Sequence, residues 1–278
     1  MSHPVPVDLF EALEAGRLVP YLGPGVLALA GEGPLPASAD QLVARLTAKA
    51  AVPHKIRNNL TAAAQFIENF KHRTTVTAVM TESFGPQLAP SPLHLWLAGL
   101  PKLPLMVHVW YDDLPQQALA RRADWGVVQG VSQAEHFGVW HHFFQPDGAR
   151  SAGADGWSTL LYQPLGSVRP AANFLISDSD FVEVLTEIDI QTPIPECVQQ
   201  LRQGRSFLFL GCRFANQLER TFARQVIKRS SNRHWAVLPE EPTKNEAKFL
   251  QDNNIRRIEA PLEAFAAALM SDALSSAV

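Results

Sequence analysis

Residues Leu18 to Val26 read LVPYLGPGV, and this segment is the main evidence for the fold class. Its apolar first half predicts a buried strand, and Gly23 and Gly25 predict a tight turn at the carboxyl end of that strand. Because glycine has no Cβ, such a turn lets backbone N–H groups approach a pyrophosphate closely. A turn without a ligand remains an alternative, since the stretch does not complete a Gly-x-Gly-x-x-Gly motif. Pro20 has no N–H to donate, which predicts that this strand lies at a sheet edge or is locally irregular.

Helical patterns and short apolar strands alternate on both sides of this turn. Strand patterns include LPLMVHVW at 103–110, SFLFLG at 206–211, and HWAVLP at 234–239. Helix, short turn and buried strand in repeated succession are typical of a parallel sheet. We therefore predict an α/β, Rossmann-like fold with a mainly parallel sheet flanked by helices. We expect one domain over 1–278, with a small helical insertion at about 38–85.

A second strand pattern also ends in a glycine, Gly211. In a doubly wound sheet, ligands bind outside the carboxyl ends of the strands, where the strand order reverses. The two glycine turns are therefore the candidate ligand site.

Composition and charge argue against several classes of function. The formal net charge of −3 gives no reason to expect nucleic-acid binding, and the basic run RQVIKRSSNR at 224–233 is typical of a solvated helix end. No apolar run is long enough to span a membrane, and MSHPVPVDLF has no leader pattern, so we expect a cytoplasmic protein. The two cysteines, Cys197 and Cys212, are too few for a disulfide framework or a four-cysteine zinc site.

A metal site at His136, His141, His142 and Asp147 is an alternative, because imidazole and carboxylate groups suit zinc or iron. Adjacent histidines on a strand point to opposite faces, which separates His141 from His142. We therefore expect no metal.

Four segments, in order along the chain, resemble the sirtuin-like NAD-binding family, in particular bacterial sirtuin-like proteins without the zinc ribbon. They are LVPYLGPGV at 18–26, SPLHLWLAGLPKLPLMVHVWYDDLPQQAL at 91–119, LLYQPLGSVRPAANFLISDSDFVEVL at 160–185 and SFLFLGCRFANQLERTF at 206–222. They resemble the family's first glycine motif, its helix, strand and Asn-Tyr-Asp turn, its His-Gly-Ser segment, and its late strand with a glycine turn. The resemblance extends from about Gly16 to Leu269.

This resemblance implies a site for NAD or ADP-ribose. By matching position, the cofactor-binding residues are Gly23, Pro24, Gly25 and Val26 at the pyrophosphate, Gly211, Cys212 and Arg213 near the adenosine, and Trp110, Asp112, Leu165, Gly166 and Ser167 in the two segments beside the nicotinamide ribose.

The sequence departs from the family at the two positions that matter most for cleaving NAD. Trp110 stands where the family has its catalytic asparagine, and Leu165 stands where it has its histidine base. Leucine has no exchangeable proton and an indole N–H only donates. Losing a general base lowers a rate by about 10²–10⁴. On an extended strand His108, Trp110 and Asp112 share one face, so His108 with Asp112 is the candidate for a replacement catalytic pair.

Three interpretations follow. The first is a catalytically degenerate protein that binds NAD, ADP-ribose or a related nucleotide and has a sensing, regulatory or protein-interaction role. The second is an NAD glycohydrolase of the bacterial defence kind with a non-standard base. The third is a scaffold for a protein partner or a second copy, with Trp96, Trp125, Trp140 and Trp157 as exposed anchors. Classical deacylase activity is disfavoured, because the zinc ribbon is missing.

Overall fold

The structure is a computed structural model that describes residues 5–133, 136, 138–187 and 194–276, without the side chains of 186–187 and 272–276. The helices are α1 Val7–Glu14, α2 Ala39–Lys49, α3 Leu60–Lys71, α4 Arg73–Phe84, α5 Pro92–Ala98, α6 Leu114–Leu119, α7 Asp178–Glu187, α8 Glu196–Arg202, α9 Gln217–Ile227, α10 Lys244–Asp252 and α11 Leu262–Ser276, with a 3₁₀ helix at Pro24–Ala30. The strands are β1 Leu18–Leu22, β2 Leu105–His108, β3 Trp125–Gly130, β4 His141–Phe144, β5 Arg150–Ser151, β6 Thr159–Gln163, β7 Gly166–Ser167, β8 Asn173–Phe174, β9 Ser206–Leu210, β10 His234–Val237 and β11 Ile255–Ile258.

A nine-stranded sheet forms the centre of the described structure, in the order β11-β10-β9-β1-β2-β6-β3-β4-β5. Its strands are parallel from β11 through to β3, whereas β4 and β5 are antiparallel. The chain proceeds from β1 to β2 on one side and later returns to β9 on the other. The strand order therefore reverses between β1 and β9, which confirms the predicted Rossmann-like α/β fold.

Helices cover both faces of the sheet, and each strand contributes side chains to both faces because successive side chains alternate. Val19 and Tyr21 of β1 point into one apolar cluster and Leu18 and Leu22 into another. We call the face to which Val19 and Tyr21 point the first face, and the opposite face the second face. The cluster on the first face also includes side chains from α2, α3, α4 and from α7 to α10. The second face is covered mainly by α1, α5 and α11.

Pro20 lies in a central strand, so the first of its two predicted alternatives, a strand at the sheet edge, is wrong. Along β9 the whole of β1 is paired, with Pro20 opposite Leu208. On the other side, pairing with β2 covers only Tyr21 and Leu22. The missing N–H of Pro20 therefore falls before that short ladder begins, and the proline is tolerated.

Helices α2, α3 and α4 lie between β1 and β2, in the segment where the sequence predicts a helical insertion. Serine and asparagine caps begin two of them, since Ser38 Oγ accepts the N–H of Gln41 and Asn59 Oδ1 accepts the N–H of Ala62. Arg73, at the start of α4, lies 2.8 Å from Asp180 of α7. This ion pair connects α4 to α7 on the first face. The predicted single domain over 1–278, with an insertion at about 38–85, stays a prediction.

Within the described ranges, every helix is too short or too polar to cross a bilayer.

Candidate functional site

The two glycine turns meet at the carboxyl ends of β1 and β9. Gly23 N–H donates to Leu210 O at 2.8 Å, and Gly25 N–H donates to Gly211 O at 2.9 Å. A Cβ on Gly23 would lie 2.6 Å from Gly211 O, and Gly211 itself has a φ of +64°. The glycines are therefore needed for one turn to pack directly on the other, because any side chain would separate them.

The hydrogen bonds of these turns decide which amides remain for a ligand. In the first turn, the N–H of Gly23 and Gly25 are used as above, Val26 N–H donates to Gly23 O at 3.2 Å, and Pro24 has none. In the second turn, the amides of Cys212 and Arg213 have no acceptor within the part of the chain that the structure describes. Any phosphate donors at this edge are thus on the β9 side.

Arg213, the cation of the second turn, is held by carboxylates. Its Nε lies 3.2 Å from Glu246 Oε1, and its Nη1 pairs with exposed Glu240. Burial opposes the ionisation of Glu246, but the N–H and hydroxyl of Thr243 and the Arg213 guanidinium outweigh it and lower its pKa. An anionic ligand would have to compete with Glu240 for this guanidinium.

Cys212 and Glu219 are the titratable groups behind the second turn. Burial, then the nearby Glu219 carboxyl, raises the pKa of the Cys212 thiol, which therefore stays protonated. Burial also raises the pKa of Glu219 to about 7, and its Oε2 has no partner among the described residues. At neutral pH the Glu219 carboxyl is therefore only about half ionised, because its burial opposes the charged form.

The two segments beside the expected nicotinamide position are joined by hydrogen bonds. Val168 N–H donates to Tyr111 O at 2.9 Å, and Ser167 Oγ donates to Asp112 O at 3.0 Å. Gly166 has a φ of +78°, and a Cβ there would overlap the backbone of Asn173. The residues from 110 to 112 and from 165 to 167 therefore lie together, at the ends of β2 and β6.

Trp110 and Leu165 lie in the same apolar cluster on the first face. The Trp110 indole is buried, its Nε1 donates to Pro36 O at 2.8 Å, and its ring meets Phe84 edge-on at 5.8 Å. Neither side chain can accept a proton, so this position has no general base.

His108 and Trp110 do not share a face, contrary to the prediction. Strand β2 ends at His108, and the chain turns before Trp110, so alternation does not continue. His108 Nε2 instead lies 3.3 Å from Asp112 Oδ2, and its Nδ1 lies 3.4 Å from Gln163 Nε2. Both ring nitrogens have partners, and the His108 side chain is only 3% exposed.

Asp112 is the centre of a buried polar network that the sequence interpretation recognised only in part. Burial opposes its ionisation, but His108, His94 and the Leu114 N–H outweigh that effect and lower the pKa of Asp112. His94 Nδ1 lies 2.7 Å from Ser91 Oγ at the start of α5, and burial lowers the pKa of His94 to about 4. Sequence reasoning missed His94, although the Ser-x-x-His spacing of this helix cap was a signal for it.

Gln163 and Gln116 extend the network and were also missed. Gln116 Nε2 donates to Gln163 Oε1 at 2.8 Å and to Arg169 O at 3.1 Å. These glutamines connect the end of β6 to α6, so the network fixes the geometry of the turn after β2. No sequence motif marks them.

The histidines named as possible metal ligands do not form a metal site among the described residues. His141 and His142 are neighbours on β4, and over the described ranges no group of three histidine, cysteine or carboxylate side chains could hold a metal ion.

Comparison with known proteins gives one family. The model of the SIR2-like domain matches residues 104–258 of the 278-residue chain. A solved structure described as "Structural Basis for the Mechanism and Regulation of Sir2 Enzymes" is similar with 14% identity and a TM-score of 0.43, covering 97% of this chain and 98% of that one. No curated protein matches the sequence. From the family match over more than half of its length, this chain belongs to the SIR2-like domain family.

Proposed function

We propose that the protein binds NAD, ADP-ribose or a related nucleotide over the ends of β1 and β9 and does not cleave it. The strongest support for the absence of cleavage is the presence of Trp110 and Leu165. Neither side chain can accept a proton, and both lie in the hydrogen-bonded segments at the ends of β2 and β6. Its role is then sensing or regulation, in which the nucleotide shifts a conformational equilibrium.

Binding is supported by family membership and by the chemistry at the end of β9. The amides of Cys212 and Arg213, which lack acceptors among the described residues, are suited to phosphate oxygens. Arg213 adds a guanidinium, which pairs bidentately with phosphate once it is released from Glu240. Phosphate and Glu240 therefore compete for one cation.

This competition gives a direct binding test by calorimetry with ADP-ribose and NAD. We expect Glu240→Gln to raise the affinity about threefold, because an exposed ion pair contributes about 0.2–1 kcal/mol. Glu241→Gln is the matched control. It removes the same charge as Glu240→Gln, but Glu241 pairs with Arg257 and not with Arg213. No heat with either nucleotide, for the wild type and both variants, would contradict nucleotide binding and favour the scaffold interpretation.

The NAD glycohydrolase alternative requires a base that reaches the nucleotide. His108 is buried and is held at both nitrogens, by Asp112 and Gln163. We therefore expect no nicotinamide release when the purified protein is incubated with NAD. Turnover that His108→Ala abolishes would refute the non-cleaving proposal and favour the glycohydrolase.

Restoring the family's pair tests the same point in the other direction. We expect Trp110→Asn with Leu165→His to cleave NAD above the wild-type level, and Trp110→Asn with Leu165→Gln, which lacks a base, to remain inactive. Removing the buried indole costs about 3–5 kcal/mol, so thermal melting of both variants must show a folded protein. Equal activity of the two folded variants would exclude Leu165 as the position of the missing base.

A further inference from the structure

A cavity of about 590 Å³ lies over the first face of the sheet, between β4, β6 and α8. In the sheet order, β2 and β6 separate β1 from β3 and β4. No residue of either glycine turn lines the cavity. It is therefore separate from the proposed nucleotide site.

Three aromatic side chains line one part of the cavity, namely Trp140, Phe143 and Trp157. The Phe143 and Trp157 ring centroids lie 6.4 Å apart. Trp157 Nε1 donates to Gln145 Oε1 at 3.2 Å, and its indole packs against Gly126 so closely that a Cβ there would overlap it. The Trp157 ring is thus held in place before any ligand binds.

Among the described residues that line the cavity, all the formal charge is negative. Asp155 and Glu196 are exposed carboxylates, and neither forms an ion pair with a lysine or arginine among the described residues. His141 adds no positive charge at neutral pH, because burial and then His142 lower its pKa. Burial raises the pKa of the Cys197 thiol, which stays neutral.

We propose that this cavity binds a small organic cation with an alkylated nitrogen, such as a quaternary ammonium group. Aromatic faces attract such cations, and carboxylates at the rim complement the charge. A neutral ring of the same size would leave Asp155 and Glu196 without a counter-charge, and a metal ion would leave the aromatic side chains unused. An alkylated ammonium ion is the ligand class that uses both features.

The test uses choline and 3,3-dimethylbutan-1-ol, its neutral isostere, titrated into the full-length protein by calorimetry. We expect saturable binding of choline and at least about tenfold weaker binding of the isostere, because only the cation gains from the ring quadrupoles. We expect Asp155→Asn with Glu196→Gln to weaken choline binding about fivefold or more. Glu14→Gln with Glu263→Gln is the matched control, since these exposed carboxylates belong to α1 and α11 on the second face.

Each remaining outcome overturns the proposal. Equal affinity for choline and the isostere would show that charge plays no part. Equal choline affinity of the two double variants would show that Asp155 and Glu196 play none. Absence of saturable choline binding up to about 50 mM would exclude a cation site of useful strength.

Unchanged melting temperatures are expected for both double variants, because all four carboxylates are exposed.

Discussion

The contact between the two glycine turns predicts a large difference between two alanine substitutions that look alike in sequence. Gly211 and Gly204 both have a positive φ, +64° and +67°. Alanine in this conformation is strained by about 1–2 kcal/mol. A Cβ on Gly204 meets nothing within 4 Å, whereas a Cβ on Gly211 would lie 2.7 Å from the Gly25 carbonyl carbon and overlap Val26 N.

Overpacking of this kind adds about 1–3 kcal/mol. We therefore expect Gly204→Ala to lower the free energy of unfolding by about 1–2 kcal/mol and Gly211→Ala by about 2–5 kcal/mol. Urea denaturation followed by circular dichroism measures both, with the slope of the transition checked for constancy.

ADP-ribose binding gives a second test of the variants Gly211→Ala and Gly204→Ala. If the amides after Gly211 hold a phosphate, Gly211→Ala should also lose ADP-ribose binding, while Gly204→Ala should keep it. Stability losses that agree within about 0.5 kcal/mol would refute the packing of one turn on the other.

Three further predictions concern titratable groups. Folded His94 has a pKa of about 4 against 6.5 when unfolded, so its contribution to stability is present above pH 6.5 and is lost as the pH falls to about 4. The His94→Gln variant should therefore lack up to about 3 kcal/mol of this decline in urea titrations, and identical pH profiles would contradict the burial of a neutral ring. Glu219 has the opposite sign, because its folded pKa of about 7 lies above 4.5: its contribution is lost as the pH rises between these values. Glu219→Gln should remove up to about 3 kcal/mol of that loss. Finally, iodoacetamide at neutral pH should leave Cys212 unmodified in the folded protein and alkylate it in urea, as measured by peptide mass spectrometry; rapid labelling of the native Cys212 would show that the turn is open.

The parallel strands and the position of the glycine turns could be predicted, because each depends on local patterns. Apolar runs such as that of β9 predict buried parallel strands, and the glycines at 23, 25 and 211 mark the ends of the two strands between which the order reverses. What faces those glycines could not be predicted. A missing Cβ accommodates a ligand and a second backbone equally well, and here Gly211 O approaches Gly25 N.

The polar network around Asp112 shows a second limit. Its contact with His108 joins residues four apart, and the shared-face argument does not predict it, because residues four apart on an extended strand are not in contact. Alternation predicts faces only while a strand continues, and β2 ends at His108. His94 and Gln163 come from α5 and β6, and only the tertiary fold brings His94 near Asp112 and Gln163 to His108.

None of the four tryptophans predicted to be exposed anchors is exposed, and Trp96 is half-buried against the second-face cluster. Trp125 is 1% exposed and lies in the core beneath the second face, so that choice is wrong. Trp140 and Trp157 are half-buried and line the cavity beside α8. Residue type alone does not separate these cases, because large aromatic side chains occur both in cores and at binding surfaces.

The sheet ends at β11, and this border affects how copies of the protein can associate. Arg256 is exposed there, and Arg257 donates from Nε to Leu238 O at 3.1 Å and pairs with Glu241. Charged side chains on a border strand hinder its backbone from recruiting a strand of another molecule. Association of copies by continuing the sheet across β11 is therefore disfavoured, and that border resists strand-templated aggregation at high concentration.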